Sequence, residues 1–386
     1  MNSPRGARAF DLIVLGAGPA GASAAKVAAD LGLRVALVDK KSFPRDKLCG
    51  GGLTGRAIDY YRRIFDAPLP DIPLERRSDI AFHAFGEDLG LSCDAPPLHL
   101  AMRRDLDAHL LERALEAGAT DLTGSMAQLD PDGPSLRIGD GKIDAPLLIA
   151  ADGVNSATAK QLFGSAFDRD KIGFALEVES PGADATRPLR IDFGAADWGY
   201  GWQFPKACGT TIGVGGVMAR NADMKGHLAK YLDALGINPD LPVKGQFLPF
   251  GDFRETPGKG RILLAGDAAG LVDPITGEGI AHALHSGELA ARAAADALRR
   301  GMPDMALADY TRALRPIHGG LRHAGRLRHL MFRDSLRRTF IKSFRNSRTL
   351  RDEYLRLLAG ETEYGPLMRK MALRLPSFAL RALTRR

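Results

Sequence analysis

The sequence predicts an α/β protein: a parallel-sheet domain, an antiparallel β-sheet inserted into it, and a helical C-terminal region. Three observations point there. Phe10 to Gly21 read FDLIVLGAGPAG, a short apolar strand running into a glycine-rich turn. Apolar strands that end in an acid recur at Pro146 to Asp152 and Arg261 to Asp267. Between them, Ile172 to Phe250 is rich in Gly, aromatics and short alternating runs, the pattern of antiparallel strands.

The first strand carries the most information. Leu12 to Leu15 suits a strand buried on both faces. Gly16, Gly18 and Gly21 complete G-x-G-x-x-G around Pro19 and Ala20, ahead of an Ala-rich helix over Ala22 to Leu31. In a Rossmann-like βαβ unit Gly16 makes the tight turn, Gly18 lets a pyrophosphate approach the backbone, and Gly21 lets the helix pack on the strand. The free N–H groups of the helix start then face the phosphates. A second strand, Leu33 to Val38, ends in Asp39, placed to accept from an adenosine ribose, with Lys40 beside it. The bland alternative is a glycine turn in an ordinary βαβ unit.

Further elements follow in order. Phe43-Pro44 and Gly50-Gly51-Gly52 make Lys40 to Leu53 a loop that approaches a flat or phosphorylated ligand, or else a flexible connector. Helix is expected from Thr54 to Phe65, strands within Asp79 to Cys93, and helix from Met102 to Ala117, closed by Gly118. Asp105 and Asp107 favour that helix's first turn, and Arg103 either reaches a phosphate or pairs with a carboxylate of the same turn. Pro146 to Ala151 is a buried strand ending in Asp152-Gly153, with a helix over Ala157 to Phe163. Lys225 to Leu235 reads as helix, and Arg261 to Ala265 ends in Gly266-Asp267. Ligands of open α/β sheets bind at the carboxyl ends of the strands, so three acid-tipped ends argue for one elongated ligand. Pro274, Gly277 and Gly279 shape a loop into a long helix from Ile280 to Arg300, whose positive end can steady negative charge on a bound ring.

Composition bounds the rest. The chain has 386 residues, 45% hydrophobic and 26% charged, which suits two or three packed domains. From Thr311 to Arg386 there are 19 Lys and Arg against 5 Asp and Glu, so that segment carries +14 and the first 310 residues −7. Cys49, Cys93 and Cys208 are dispersed, with no C-x-x-C and no His at ligand spacing. That indicates a cytoplasmic protein without structural disulfides or a metal site. No apolar run approaches the length of a membrane span. Arg5 and Arg8 before an apolar stretch imitate a signal peptide, but that stretch is the first strand itself. No recognition motif links the basic tail to nucleic acid.

The combination of G-A-G-P-A-G with Asp39, Arg103, Asp152-Gly153 and Gly266-Asp267 resembles the FAD-binding set of the p-hydroxybenzoate-hydroxylase-like flavoproteins. Within that group, FPRDKLCGGGL and YGWQFPKACGTTIGVGG resemble the geranylgeranyl reductase family, which carries Y-x-W-x-F-P followed by G-x-G. The likeness spans roughly residues 10 to 300.

This resemblance implies FAD held by Gly16, Gly18 and Gly21 at the pyrophosphate, Asp39 at the ribose, Arg103 beside the phosphates, and Asp267 at the ribitol or pyrophosphate. Asp152-Gly153 serves FAD and pyridine nucleotide. The Pro274 to Gly279 loop and Cys49-Gly50-Gly51 lie near the isoalloxazine, with Cys49 a candidate proton donor or merely a small buried residue. Tyr200, Trp202, Phe204 and Pro205 line a channel for a prenyl tail, or else form plain sheet core.

The implied activity is hydrogenation of carbon–carbon double bonds in a prenyl chain on a lipid, quinone or pigment, with NADPH or a ferredoxin-like donor as reductant. The rival on this fold is an aromatic or lipid monooxygenase. Halogenases of the fold share W-x-W-x-I-P and a G-E-S loop, where this chain has YGWQFP and CGGG. A flavin-bound assembly protein without turnover is the third alternative. The expected division is an FAD-binding domain from 8–75, 98–171 and 251–300, a substrate-binding sheet domain from 76–97 and 172–250, and a basic helical region from 301–386. The last is expected to form helices at Leu307 to Arg315, Leu321 to Phe340, Thr349 to Leu358 and Pro366 to Leu383. Its final stretch mixes Leu, Met and Phe with Arg, which fits peripheral contact with an anionic membrane or a solvated face on the body.

Overall fold

The computed structural model describes residues 10–181, 187–207 and 209–369. A six-stranded sheet runs in the order Gly258–Lys259, Ile262–Leu264, Leu147–Ala150, Leu12–Leu15, Val35–Asp39, Thr120–Thr123. Every neighbouring pair is parallel except the outermost, Gly258–Lys259 with Ile262–Leu264. Leu12, Ile13, Leu147 and Leu148 are fully buried, as a sheet covered on both faces requires. Leu12–Leu15 lies between the strand after it and the strand at 147, so the order reverses there and a crevice opens at the carboxyl ends.

The helices in chain order are α1 (Pro19–Asp30), α2 (Gly55–Phe65), α3 (Arg103–Glu116), α4 (Ala157–Phe163), α5 (Met224–Leu235), α6 (Ile280–Arg299), α7 (Ala306–Ala313), α8 (Arg315–Phe332), α9 (Asp334–Asn346) and α10 (Arg348–Ala359). Small residues bring α1 and α6 together. Ser23 donates to the Leu284 carbonyl at 2.6 Å, and a side chain at Gly287 would collide with the Ala20 carbonyl.

The second large sheet has seven strands in the order Lys244–Leu248, Gly173–Pro181, Gly209–Val217, Tyr200–Lys206, Leu189–Phe193, Ile80–Ala84, Glu87–Ser92. It is antiparallel apart from the parallel pair Leu189–Phe193 and Ile80–Ala84. The strands expected within Asp79 to Cys93 thus join the inserted sheet. One face packs on α5 through Ile212, Val214, Leu228 and Leu232. The other meets α9 and α10, where Phe82 and Phe193 pack on Phe344 and Tyr354. A small sheet of Gly52–Leu53, Leu98–Leu100 and Glu75–Arg77 lies near the glycine loop, and another joins Ala127–Leu129, Ser135–Ile138 and Gly141–Asp144.

Differences from expectation gather in the tail. The helix expected over Leu321 to Phe340 is broken at Arg333, which is extended at φ −72° and ψ 123°. Asp334 starts α9 in the first turn, where an acid is favourable. The break turns Phe332 inward and lets Phe344 reach Phe193. The helix expected to close at Arg315 instead ends at Ala313, because Pro316 is suited to the first turn of a new helix. The Thr349 to Leu358 expectation coincides with α10. Most of the helix expected at Pro366 to Leu383, and Cys208, lie outside the described residues.

Candidate functional site

Both large sheets and the C-terminal helices face one cavity of about 600 Å³. Its first end is built by the glycine turn. Gly16 has φ +100°, and a side chain there would run into the Ala151 carbonyl. A side chain at Gly21 would strike the Gly16 carbonyl, so Gly21 serves helix packing and does not line the cavity. Gly18, Pro19 and Ala20 do line it. No side chain caps the start of α1, and its first turn holds no acid, which leaves backbone donors for a ligand. Asp39 is nearly buried; Oδ2 accepts the Ala17 N–H and Oδ1 the Lys41 N–H, each at 2.8 Å. Lys40 stands beside it on the cavity wall.

Cations gather next to this cradle. Arg103, the first residue of α3, makes a two-pronged bond to Asp107 at 2.7 and 2.8 Å. The carboxylate pair read from sequence is formed, and Arg103 also lines the cavity. Asp107 is not a solvated first-turn acid: it is fully buried and also holds Arg45 at 3.1 Å. Lys47 lines the cavity too, its pKa pushed down by burial although Asp267 opposes the shift. Burial pushes the Asp267 carboxyl up, against the pull of Lys47 and Arg103. Gly266 packs under Ala20 and donates its N–H to Ser286 Oγ at 2.9 Å, outside the cavity lining.

Asp152 and Gly153 lie at the lip of the Leu147–Ala150 strand. Asp152 Oδ2 accepts the Thr158 N–H at 3.2 Å, while Oδ1 is buried with no hydrogen-bond partner among the described residues. Burial pushes this carboxyl up as well. Open backbone donors, a cluster of cations and an orphaned acceptor fit a dinucleotide lying along the strand ends.

The far end is apolar. Tyr200, Trp202 and Phe204 alternate along one strand and share a face, all three on the cavity. Pro205 falls on the opposite face and does not line it. The G-x-G of the neighbouring strand has a steric reason: Gly213 pairs with Trp202 and Gly215 with Tyr200, and a side chain at Gly213 would collide with the indole. The Tyr200 hydroxyl donates to the Thr276 carbonyl at 2.9 Å, tying the sheet to the Pro274 to Gly279 loop. Pro274, Gly277, Gly279 and Ile280 of that loop and of α6 line the cavity.

The glycine loop bridges the two ends. Cys49, Gly50 and Gly51 line the cavity, and Gly50 lies against Phe204. The Cys49 N–H donates to Glu177 Oε1 at 3.1 Å, Lys206 Nζ donates to the Cys49 carbonyl at 3.5 Å, and Cys49 Sγ accepts the Gly51 N–H at 3.3 Å. Glu177 is 1% exposed, and burial pushes its carboxyl up to about 7.

Sequence reasoning missed three groups here. Arg45 and Lys47 lie inside FPRDKLCGGGL, where the glycines are the stronger signal. Glu278 lies between Gly277 and Gly279, where the turn is the stronger signal. Phe332, Tyr354 and Leu358 close the cavity from α8 and α10, and the i, i+4 spacing of Tyr354 and Leu358 was the available signal.

Residues 9–175 match the FAD binding domain family. A menaquinone reductase of Mycolicibacterium smegmatis is 33% identical over 309 residues, covering 73% of this chain and 75% of its own length. A geranylgeranyl diphosphate reductase of Rhodobacter capsulatus is 30% identical, covering 78% of each chain. A digeranylgeranylglycerophospholipid reductase of Methanothermobacter thermautotrophicus is 30% identical, covering 76% of this chain and 80% of its own. In fold, the chain is similar to a geranylgeranyl bacteriochlorophyll reductase-like protein of Thermoplasma acidophilum, with TM-score 0.78, 21% identity, and coverage of 95% of this chain and 99% of that one. It is also similar to a flavin-dependent brominase, with TM-score 0.74, 20% identity and coverage of 96% and 99%.

Fold and family together define an FAD-dependent oxidoreductase. More particularly, the chain belongs to the p-hydroxybenzoate-hydroxylase-like FAD-binding family that includes the geranylgeranyl and menaquinone reductases.

Proposed function

We propose that the protein hydrogenates carbon–carbon double bonds of a prenyl chain carried on a lipid, quinone or pigment. The observation that carries this reading is the single cavity that joins the cationic cradle to an aromatic and aliphatic wall. Greasy walls of that kind suit an extended hydrocarbon and exclude water. The likeness to a menaquinone reductase, a geranylgeranyl diphosphate reductase and a digeranylgeranylglycerophospholipid reductase supports the same substrate class.

FAD, when bound, supplies hydride chemistry. Gly16, Gly18, Pro19 and Ala20, with Gly21 packing behind them, receive its pyrophosphate on the start of α1. Asp39 and Lys40 take the adenosine end. Arg103, Arg45 and Lys47 balance the phosphate charge. Asp152, Gly153 and Asp267 hold hydroxyls along the strand ends, Gly266 setting the turn. The Pro274, Gly277, Gly279 and Ile280 backbone and the Cys49–Gly51 loop flank the ring. Tyr200, Trp202 and Phe204 press the prenyl chain toward it, and Pro205 braces their strand from behind. The reductant is NADPH or a ferredoxin-like donor, and the protein works in the cytoplasm, peripheral to an anionic membrane.

Mass spectrometry of prenylated lipid after incubation with the reduced holoenzyme tests this. The reading predicts a gain of two hydrogens per double bond without oxygen. An oxygen-dependent gain of one oxygen atom would establish a monooxygenase instead.

A further inference from the structure

Five carboxylates line the cavity among the described residues: Asp39, Asp46, Asp152, Asp267 and Glu278. The aspartates belong to the cradle. Asp39 and Asp152 accept backbone N–H groups there, Asp267 faces Lys47 and Arg103, and Asp46 lies between Arg45 and Lys47 in the chain. Glu278 is elsewhere. It sits on the loop whose Thr276 carbonyl receives the Tyr200 hydroxyl, and so at the aromatic end.

The Glu278 side chain is 8% exposed. Its Oε1 accepts a short hydrogen bond from the hydroxyl of Thr54, the N-cap residue of α2. Its Oε2 lies 3.7 Å from Arg56 Nε, and Arg56 reaches on to Glu363, a surface residue, at 3.2 Å. Asp273 of the same loop is occupied, its Oδ1 accepting from Ile275 N, Thr276 N and the Tyr364 hydroxyl. His282 and His285 of α6 lie beyond Arg56 and are kept neutral by burial, pushed down to about 3 and about 4. Among the described residues, the charged groups facing Glu278 are therefore Arg56, Asp273 and Glu363, with the neutral hydroxyls of Tyr60 and Tyr364 also near it. Burial first, then the two acids, oppose its ionisation, while Arg56 and Thr54 favour it, and the balance leaves Glu278 pushed up to about 7.

We propose that Glu278 is the proton donor of the cavity, giving its carboxyl proton to one carbon of a double bond held against the Tyr200 to Phe204 wall. The inference rests on the reductase reading. The neighbouring carbon takes hydride from reduced FAD. The π bond is lost, two C–H bonds form, FAD is left oxidised, and Glu278 is left as a carboxylate. Arg56 and the Thr54 hydroxyl stabilise that carboxylate until water returns its proton. A carboxyl poised near neutrality is matched to this task, since it is both protonated and able to give the proton up.

Glu278→Gln preserves the side-chain volume and the acceptor for Thr54 but removes the proton. The holoenzyme variant is expected to keep its FAD and to be reduced by dithionite like the parent. Its anaerobic reoxidation by geranylgeranyl diphosphate or by menaquinol, whose ring is already reduced so that only its double bonds can accept, falls in detergent micelles by about 100-fold or more, and Glu278→Asp restores part of the rate. The parent's kcat falls as pH rises through about 7, and the variant lacks that limb. Infrared difference spectra between acid and alkaline pH carry protonated-carboxyl absorption near neutrality from both Glu177 and Glu278 in the parent, and in Glu278→Gln the Glu278 part is lost while that of Glu177 remains. A variant active within a few-fold of a working parent, or a carboxyl band unaffected by the substitution, overturns the donor role alone. A parent whose reduced flavin neither lipid reoxidises overturns the reductase reading and the donor role with it.

Discussion

At the scale of single residues, the cavity is surrounded by carboxylates that the fold holds uncomfortably. Glu177 and Glu278 are both pushed from 4.5 up to about 7, chiefly by burial. A carboxyl whose folded-state pKa is raised binds its proton more tightly when folded. The protein therefore loses stability as pH rises from about 4.5 through about 7. Glu177→Gln should raise the unfolding temperature at pH well above 7 and leave it near the parent value at acid pH, a difference of roughly 1–3 kcal/mol. Equal shifts at both pH values would contradict the assignment. Asp39 accepts two backbone N–H groups, each at 2.8 Å. Asp39→Ala strands those donors at about 1–3 kcal/mol each, and should release FAD on gel filtration; unchanged flavin content would refute the adenosine assignment. Gly213 is readable in steric terms alone. Gly213→Leu should displace the Trp202 indole, leaving FAD bound while prenyl substrate is turned over at least about tenfold more slowly, a cost of about 1.4 kcal/mol or more.

At the scale of elements, the account turns on helices that the sequence resemblance did not reach. Phe344 of α9 is 2% exposed and meets Phe82 and Phe193 edge-on at 5.3 and 5.9 Å. Phe344→Ala should destabilise the protein by about 3–5 kcal/mol in denaturant unfolding. A loss below about 1 kcal/mol would mean that α9 is a loosely held appendage. The nucleotide-binding elements were legible because each advertises itself locally: an apolar strand, a glycine turn, an acid at the tip. Ala157–Phe163 falls where pattern and cap put it, and the strand expected over Leu33 to Val38 runs from Val35 to Asp39. The tail was harder, since its register depends on what it packs against. Only Asp334, an acid suited to a first turn, hints at the break beside Arg333, across which Phe332 packs near Trp198 and Phe344 on Phe82 and Phe193 within one core. The cavity's cations were hidden for a related reason. Arg45 and Lys47 acquire meaning only once the chain brings them to Asp107 and Asp267, which lie far away in sequence.

At the scale of the whole molecule, the charge is uneven, with a basic tail on a mildly acidic body. Part of the tail's excess is spent on docking: Arg345 pairs with Glu87 at 2.6 Å, and Arg351 donates to the Leu89 carbonyl at 3.1 Å. Residues 370–386 carry five Lys and Arg, no acid and several Leu, the composition from which we propose contact with an anionic surface. No helix among the described residues is long and apolar enough to cross a membrane. Co-sedimentation with anionic liposomes should fall when residues 370–386 are removed and when salt is raised, and binding indifferent to both would exclude this attachment. The larger claim is that one cavity unites a flavin cradle with a prenyl-binding wall, so that electrons pass directly from cofactor to alkene. Anaerobic stopped-flow mixing of the photoreduced holoenzyme with micelles of geranylgeranyl diphosphate or of menaquinol, whose ring is already reduced, measures that transfer. The account predicts recovery of the oxidised flavin spectrum without oxygen, at a rate that rises with prenyl substrate and is lost in Gly213→Leu. A flavin that stays reduced until oxygen is admitted would contradict it.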